Sequence, residues 1–176
     1  MSRFQNYVAL SSTGLVEDGE DLYIFEQVRA RFVGMEASSS TRLSAGASTL
    51  DLALRGDVVR ASNLSSGEAL PRIAPWRVGA SLIWGSGAWG AKLDVDRAGA
   101  QNRVPEGDTA TAAYTLLNLS GTYRVKAGAS NLLWYARLDN LTDTLAYSAS
   151  SVLTSTAFGK APLPGRSLRL GLQASF

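Results

Sequence analysis

The chain has 176 residues, 45% of them apolar, and its 17 basic side chains nearly balance 15 acidic ones. Cysteine and histidine are both absent, which excludes thiol nucleophiles, disulfides, histidine general bases and the usual zinc ligand sets. The net charge of +2 is too small and too dispersed to indicate a nucleic-acid surface, and no apolar run approaches the roughly 18 residues that a transmembrane helix requires.

Successive segments of the chain alternate apolar and polar side chains. This pattern of period two is expected where one face of a strand contacts lipid and the other a polar lumen. In chain order, the predicted strands lie at about residues 3–12, 22–42, 50–57, 76–84, 89–96, 117–126, 132–138 and 167–176. In the second strand the alternation slips near Val33, Gly34 and Met35, and we predict a β-bulge there.

The connections between these strands are alternately long and short. Long polar loops are predicted at residues 13–21, 62–75, 101–113 and 142–164, and tight turns at 44–48, 85–87 and 127–130. Outer-membrane barrels have short periplasmic turns and longer extracellular loops. The sequence therefore predicts an all-β fold in one domain over residues 1–176, an antiparallel up-and-down transmembrane β-barrel of about eight strands with both termini on the periplasmic side.

A soluble antiparallel sandwich or barrel would also alternate. Two observations favour the membrane. Charged residues lie opposite the aliphatic face in almost every predicted strand, and the tryptophans lie near predicted strand ends, as in the interfacial girdles of membrane barrels. They are Trp76, Trp84, Trp89 and Trp134. Ordinary core packing is the alternative explanation for them.

Two groups of charged residues are candidate binding sites. Glu17, Asp18, Glu20 and Asp21 could offer oxygen ligands to Ca²⁺, but their spacing lacks the EF-hand pattern and a solvated hairpin tip is the simpler interpretation. A second group is expected on the inner wall, either solvated or in contact with a ligand. Its members are Arg29, Arg31, Arg55, Lys92, Asp94, Asp96, Arg124 and Arg137. We expect no metal, no cofactor and no enzyme activity, since a hydrolase elbow and a Ser-x-x-Lys pair are also missing.

The C-terminal third carries the clearest family motif. An Asn-Leu-x-Asp turn runs from Asn140 to Asp143 and is followed by Tyr147. Pro164, Gly165 and Arg166 then lead into an alternating last strand that ends at Phe176. This arrangement resembles the last strands of the TonB-dependent outer-membrane receptors. Asn140 and Asp143 are expected to have a structural role, because such side chains bond nearby backbone and tolerate unusual dihedral angles.

Two upstream segments resemble the same family. The run from Ala30 through Gly34 to Glu36 is similar to its Ala-x-x-x-Gly-x-Glu strand, and Leu70-Pro71 followed by Pro75 and Arg77 is similar to its proline-containing approach to the next strand. The order of the three motifs along the chain is specific, although each motif alone is short.

The resemblance implies a 22-stranded barrel occluded by an N-terminal plug, which imports scarce ligands such as iron chelates, cobalamin or sugars with energy passed through TonB. No counterpart of a signal peptide, the plug or the TonB-contacting box is found here, so we expect the C-terminal part of such a receptor. The alternative is a stand-alone eight-stranded outer-membrane barrel with a structural or small-ligand-binding role.

The same resemblance implies the partners. They are outer-membrane lipid, the barrel-assembly machinery, and the remaining barrel and plug through which TonB would act; no nucleic acid is expected. Phe176 is expected to be the C-terminal aromatic residue that the assembly machinery recognises. The expected location is the bacterial outer membrane.

Overall fold

The computed structural model describes residues 1–128 and 130–176 and confirms an all-β, antiparallel architecture. The strands form one eight-stranded sheet in which each pairs with the next along the chain. They are β1 (Ser2–Glu17), β2 (Glu20–Ser44), β3 (Ser48–Asn63), β4 (Arg77–Ser86), β5 (Trp89–Ala98), β6 (Tyr114–Ala127), β7 (Ser130–Asp139) and β8 (Ser167–Ser175). In the described residues β1 does not pair with β8, so the sheet is open.

The connections confirm most of the predicted alternation. At one end of the sheet residues 45–47 and 87–88 form short turns, and at the other end residues 64–76, 99–113 and 140–166 form long loops. The last loop contains a single-turn helix, α1 (Val152–Thr156). The predicted turn at 127–130 includes residue 129, which lies outside the described residues; its flanks, Ala127 and Ser130, pair directly.

The predicted loop at residues 13–21 is wrong. β1 and β2 run through it and are joined by Asp18 and Gly19 alone, with φ angles of 53° and 84°. Asp-Gly suits this position because a type I′ hairpin loop requires positive φ at both residues. The four acidic residues therefore surround a hairpin tip, and within the described ranges no cluster of acidic side chains is placed to hold a metal.

The predicted bulge at Gly34 is also wrong. Val33, Gly34 and Met35 pair in unbroken register with Arg60, Val59 and Val58. A Cβ on Gly34 would lie 2.8 Å from the Val58 carbonyl oxygen. The glycine therefore permits a close backbone approach within a regular ladder, which is one of the uses of glycine inside strands. The register shifts of β2 lie elsewhere, beyond Arg42 and along its pairing with β1.

The two faces of the sheet differ sharply in chemistry. Cross-strand partners share a face, and one register row places six leucines side by side across six strands. These are Leu52, Leu82, Leu93, Leu119, Leu138 and Leu168. The neighbouring row points the other way and is mostly polar: Asp51, Ile83, Lys92, Ser120, Arg137 and Arg169. We call the first the outer face and the second the inner face.

The outer face has no protein layer over it in the described part of the chain. Leu168 and Leu170 are 58% and 71% exposed, and the buried apolar residues are mostly alanines. The main buried cluster, which includes Leu70 and Val28, lies at the long-loop end, where residues 64–76 fold back over β1–β3. A soluble sheet would have to bury one face against a second layer. No helix in the described residues is long and apolar enough to cross a membrane.

The tryptophans are only partly at strand ends. Trp84 and Trp89 flank the short β4–β5 turn, and Trp76 lies just before β4 rather than inside it. Trp134 is in the middle of β7, where the predicted end position is wrong. It nevertheless shares a register row of the outer face with Trp89 and Tyr123. The ring centroids of Trp89 and Tyr123 are 4.2 Å apart.

Candidate functional site

Ion pairs within and between strands line the inner face. Arg77 binds Asp57 at 3.0 Å, and Arg42 binds Asp51 at 2.7 Å. Further pairs join Arg55 to Asp96, Lys92 to Asp94, and both Arg137 and Arg169 to Asp139. All are partly exposed, so each contributes little to stability, because water and salt screen ion pairs at the surface. Together they make a polar wall whose carboxylates are largely neutralised by adjacent cations.

Gly79 permits the central connection of this wall. Arg55 on β3 reaches across β4 to Asp96 on β5, and a Cβ on the intervening Gly79 would lie 2.6 Å from the Arg55 Nε atom. The Arg55 guanidinium also donates to Ser81 Oγ at 3.1 Å, and that hydroxyl donates to Asp94. The bonds link three strands through side chains, which gives this part of the wall a defined arrangement of charge.

The structure brings together the motif residues at the start and end of the last long loop. The Asn140 amide nitrogen donates to the carbonyl oxygens of Thr144 and Pro164, at 3.0 and 3.1 Å, and its side-chain oxygen accepts the Thr144 N–H. Asp143 accepts the Arg166 N–H at 2.9 Å and lies 3.6 Å from its guanidinium. We call this set the loop latch.

Backbone conformation explains why these residue types occupy the latch. Asn140 and Asp143 have φ angles of 48° and 53°, and Asn and Asp enter this left-handed region more readily than other residues with a Cβ. Asn140 is 3% exposed. Asn118 on the inner face accepts the Asn140 backbone N–H at 2.9 Å, so the latch is anchored to β6.

The remaining motif residues are dispersed. The Tyr147 ring lies 4.9 Å from Phe158 inside the same loop. Pro71 is buried and Pro75 partly buried in the loop over β3, while Glu36 is exposed on the inner face opposite Asp57. Phe176 follows β8 with its side chain fully exposed.

A cavity of about 610 Å³ lies at the long-loop end, between the β1–β2 hairpin and residues 64–76 and 99–113. Glu26, Glu68 and Glu106 contribute to its lining, and the Ser11 hydroxyl donates to Glu26 at 2.6 Å. Beside it, burial raises the pKa of the Asp108 carboxyl, an effect that Arg72 opposes. Sequence reasoning missed this cavity because it is built from three connections that are distant along the chain.

The predicted inner wall is confirmed for six of its eight residues. Arg29 and Arg31 are the exceptions, because they lie on the outer face of β2, on the opposite side from Gly34 and Glu36. Their charge alone suggests the inner wall. The register nevertheless places them on the outer face, because successive residues of a strand point to opposite faces.

The comparison with known families agrees with this architecture. The family model described as TonB dependent receptor-like, beta-barrel matches residues 1–141. The chain belongs to the TonB-dependent receptor family. The resemblance stated from the three motifs is thus confirmed, although the loop latch beyond residue 141 and Phe176 lie outside the matched span of this TonB-dependent receptor chain.

A solved structure gives the same fold. The chain is similar to the protein named "Copper transporter OprC", with a TM-score of 0.79 and 23% sequence identity. The match covers 97% of this chain and 28% of that one, so our TonB-dependent receptor chain spans less than a third of that protein. At this identity the likeness concerns the fold.

Proposed function

We propose that the chain is the C-terminal part of a TonB-dependent receptor barrel in the bacterial outer membrane, which takes up a scarce ligand. The contrast between the two faces is the observation that supports this most directly. A row of leucines without a protein layer suits lipid, and a wall of paired charges suits a hydrated lumen.

The inner face suits a polar partner such as a plug. Its ion pairs satisfy the charges at rest, while half-exposed guanidiniums keep donors available. The open edges at β1 and β8 suit pairing with further strands of a larger barrel, because an unpaired edge otherwise invites aggregation. For the same reason a stand-alone eight-stranded barrel is not favoured. TonB would act through the plug, and enzyme chemistry is not part of the proposal.

The likeness to a copper transporter raises copper as a ligand, alongside siderophores, cobalamin and carbohydrates. Soft thiolate, thioether and imidazole groups suit copper, and this chain has no Cys, no His and only two Met. Met35 lies on the outer face. This chain therefore offers copper no thiolate or imidazole ligand, whereas the cavity under the long loops suits a polar organic ligand.

Uptake assays test this function. The labelled probes are a ferric siderophore, cobalamin, a maltooligosaccharide and copper. In cells that lack the gene, accumulation of one of these four probes is expected to fall to background. The same loss is expected in cells that carry the gene but lack TonB, since the energy would pass through it. Unchanged accumulation of all four probes in both strains would contradict the proposal.

Phe176 is proposed as the recognition residue for barrel assembly. Its complete exposure and its place after an alternating strand support this. The assembly machinery and outer-membrane lipid are partners on this proposal.

A further inference from the structure

Four arginines form a cluster on the outer face where β1 and β2 meet β3. Arg3 pairs directly with Arg31, and Arg31 pairs with Ser62. Arg60 is the diagonal neighbour of Arg31, and Arg29 lies two residues from it on the same face. All four are exposed. We call Arg3, Arg29, Arg31 and Arg60 the arginine cluster.

The cluster concentrates charge of one sign without compensation. Like charges directly opposite each other destabilise a sheet, yet in the described ranges none of the four has a carboxylate within ion-pair distance, and every ion pair between strand residues lies on the inner face.

A fifth guanidinium joins this uncompensated charge. Arg103, from the loop at 99–113, donates to the Ala61 carbonyl oxygen at 2.6 Å and to Ser62 Oγ at 2.7 Å. Because Ser62 is the cross-strand partner of Arg31, these bonds hold the fifth cation beside the cluster.

The position of the cluster relative to the apolar band identifies what could neutralise it. Towards the short-turn end, the next outer-face residues are Val33, Met35 and Val58, all exposed. The arginines therefore lie on the long-loop side of the apolar band that these residues share with β3–β8, although Val8 and Phe25, farther along the outer face of the first hairpin, are exposed as well. Arginine stems can cover apolar surface while their heads reach the polar layer. Lipid headgroups occupy that layer.

We infer that the arginine cluster binds a phosphate-bearing lipid headgroup of the external leaflet. Guanidinium groups bind phosphate oxygens in bidentate pairs, and clusters of basic residues beside a membrane-spanning segment attract anionic lipids. Four adjacent arginines and Arg103 suit a headgroup with more than one phosphate. The inference rests on the outer-membrane position proposed above.

Native mass spectrometry of the intact protein in a zwitterionic detergent tests it, with lipid A as a diphosphorylated probe and phosphatidylcholine, which has one phosphate and no net charge, as the comparison. The double variant Arg31→Gln/Arg60→Gln is expected to lose about tenfold or more in affinity for lipid A, given the attraction contributed by each basic residue. Arg124→Gln/Lys126→Gln removes two exposed positive charges from the inner face at the other end and is expected to bind as the unmodified protein does.

The other outcomes overturn the inference. Equal binding by both double variants would show that the cluster does not carry the interaction. Complete displacement of lipid A by millimolar inorganic phosphate would show a free-anion site instead. Heat-modifiable gel mobility of each variant establishes that it is folded. A protein that never enters lipid would refute the proposed membrane position, whereas one that inserts but does not discriminate lipid A refutes only this inference.

Discussion

Replacement of Ala80 by arginine is expected to lower the free energy of unfolding by about 2–4 kcal/mol, the cost of a cation on the lipid face near the middle of a membrane barrel. Ala80 lies on the outer face between Leu54 and Val95. A guanidinium there would be forced into hydrocarbon or would have to deform the surrounding bilayer. Urea-induced unfolding of the intact protein in lipid vesicles, followed by tryptophan fluorescence, measures the effect.

Ala53 is the matched control. It lies one residue from Leu54, points to the inner face opposite Ser81 and lies between Asp51 and Arg55 on that face, so the added cation meets one opposite and one like charge. Ala53→Arg adds the same side chain to the same type of residue, and we expect its effect on the free energy of unfolding to stay within about 1 kcal/mol, as for ordinary polar surface substitutions. If Ala53→Arg were as costly as Ala80→Arg, the assignment of the two faces would be wrong.

Loss of the Asn140 side chain is expected to have the second largest effect. Asn140→Ala removes three hydrogen bonds of a buried side chain and places alanine at a φ of 48°. At about 0.5–1.5 kcal/mol for each bond, the free energy of unfolding should fall by about 2–4 kcal/mol. Proteolysis of residues 140–166 should become faster, because the latch closes that loop.

Asn140→Gly separates the two contributions. Glycine adopts left-handed backbone without strain but lacks the three side-chain hydrogen bonds, so its loss of stability reports those bonds, and the further loss in Asn140→Ala reports the backbone strain. Asn131→Ala, an exposed asparagine at the start of β7, serves as the control and should leave the unfolding curve unchanged. A loss of stability in Asn131→Ala equal to that in Asn140→Ala would argue against the latch.

Period-two alternation predicted most of the sheet because both faces meet a defined environment. β3 to β8 alternate as expected, and the row of six leucines lies on the aliphatic face, opposite the charged residues, as the alternation predicts. A slip of one residue would turn every leucine of a strand to the polar side, so this signal is strong wherever the strand crosses the leucine band.

The first hairpin was not predicted because β1 and the first part of β2 lie beyond that band. Its acidic tip has the composition of a polar loop, although Asp18-Gly19 is itself a strong hairpin signal. The predicted positions of Arg29 and Arg31 are wrong for a related reason, since charge alone does not indicate the lumen. The loop latch was predicted as a turn, but its bond to Pro164 joins residues 24 positions apart, and no local pattern contains that contact.

The measurement that tests the two-faced sheet most directly is collision accessibility of spin labels along β6. The chain has no cysteine, so single cysteines at residues 117–122 can be labelled once any cysteine elsewhere in the intact protein is removed. In lipid vesicles, labels at Leu117, Leu119 and Gly121 should collide preferentially with oxygen, and those at Asn118, Ser120 and Thr122 should not. A water-soluble nickel complex reaching the Leu117 and Leu119 positions as readily as the other set would contradict a lipid-facing outer surface.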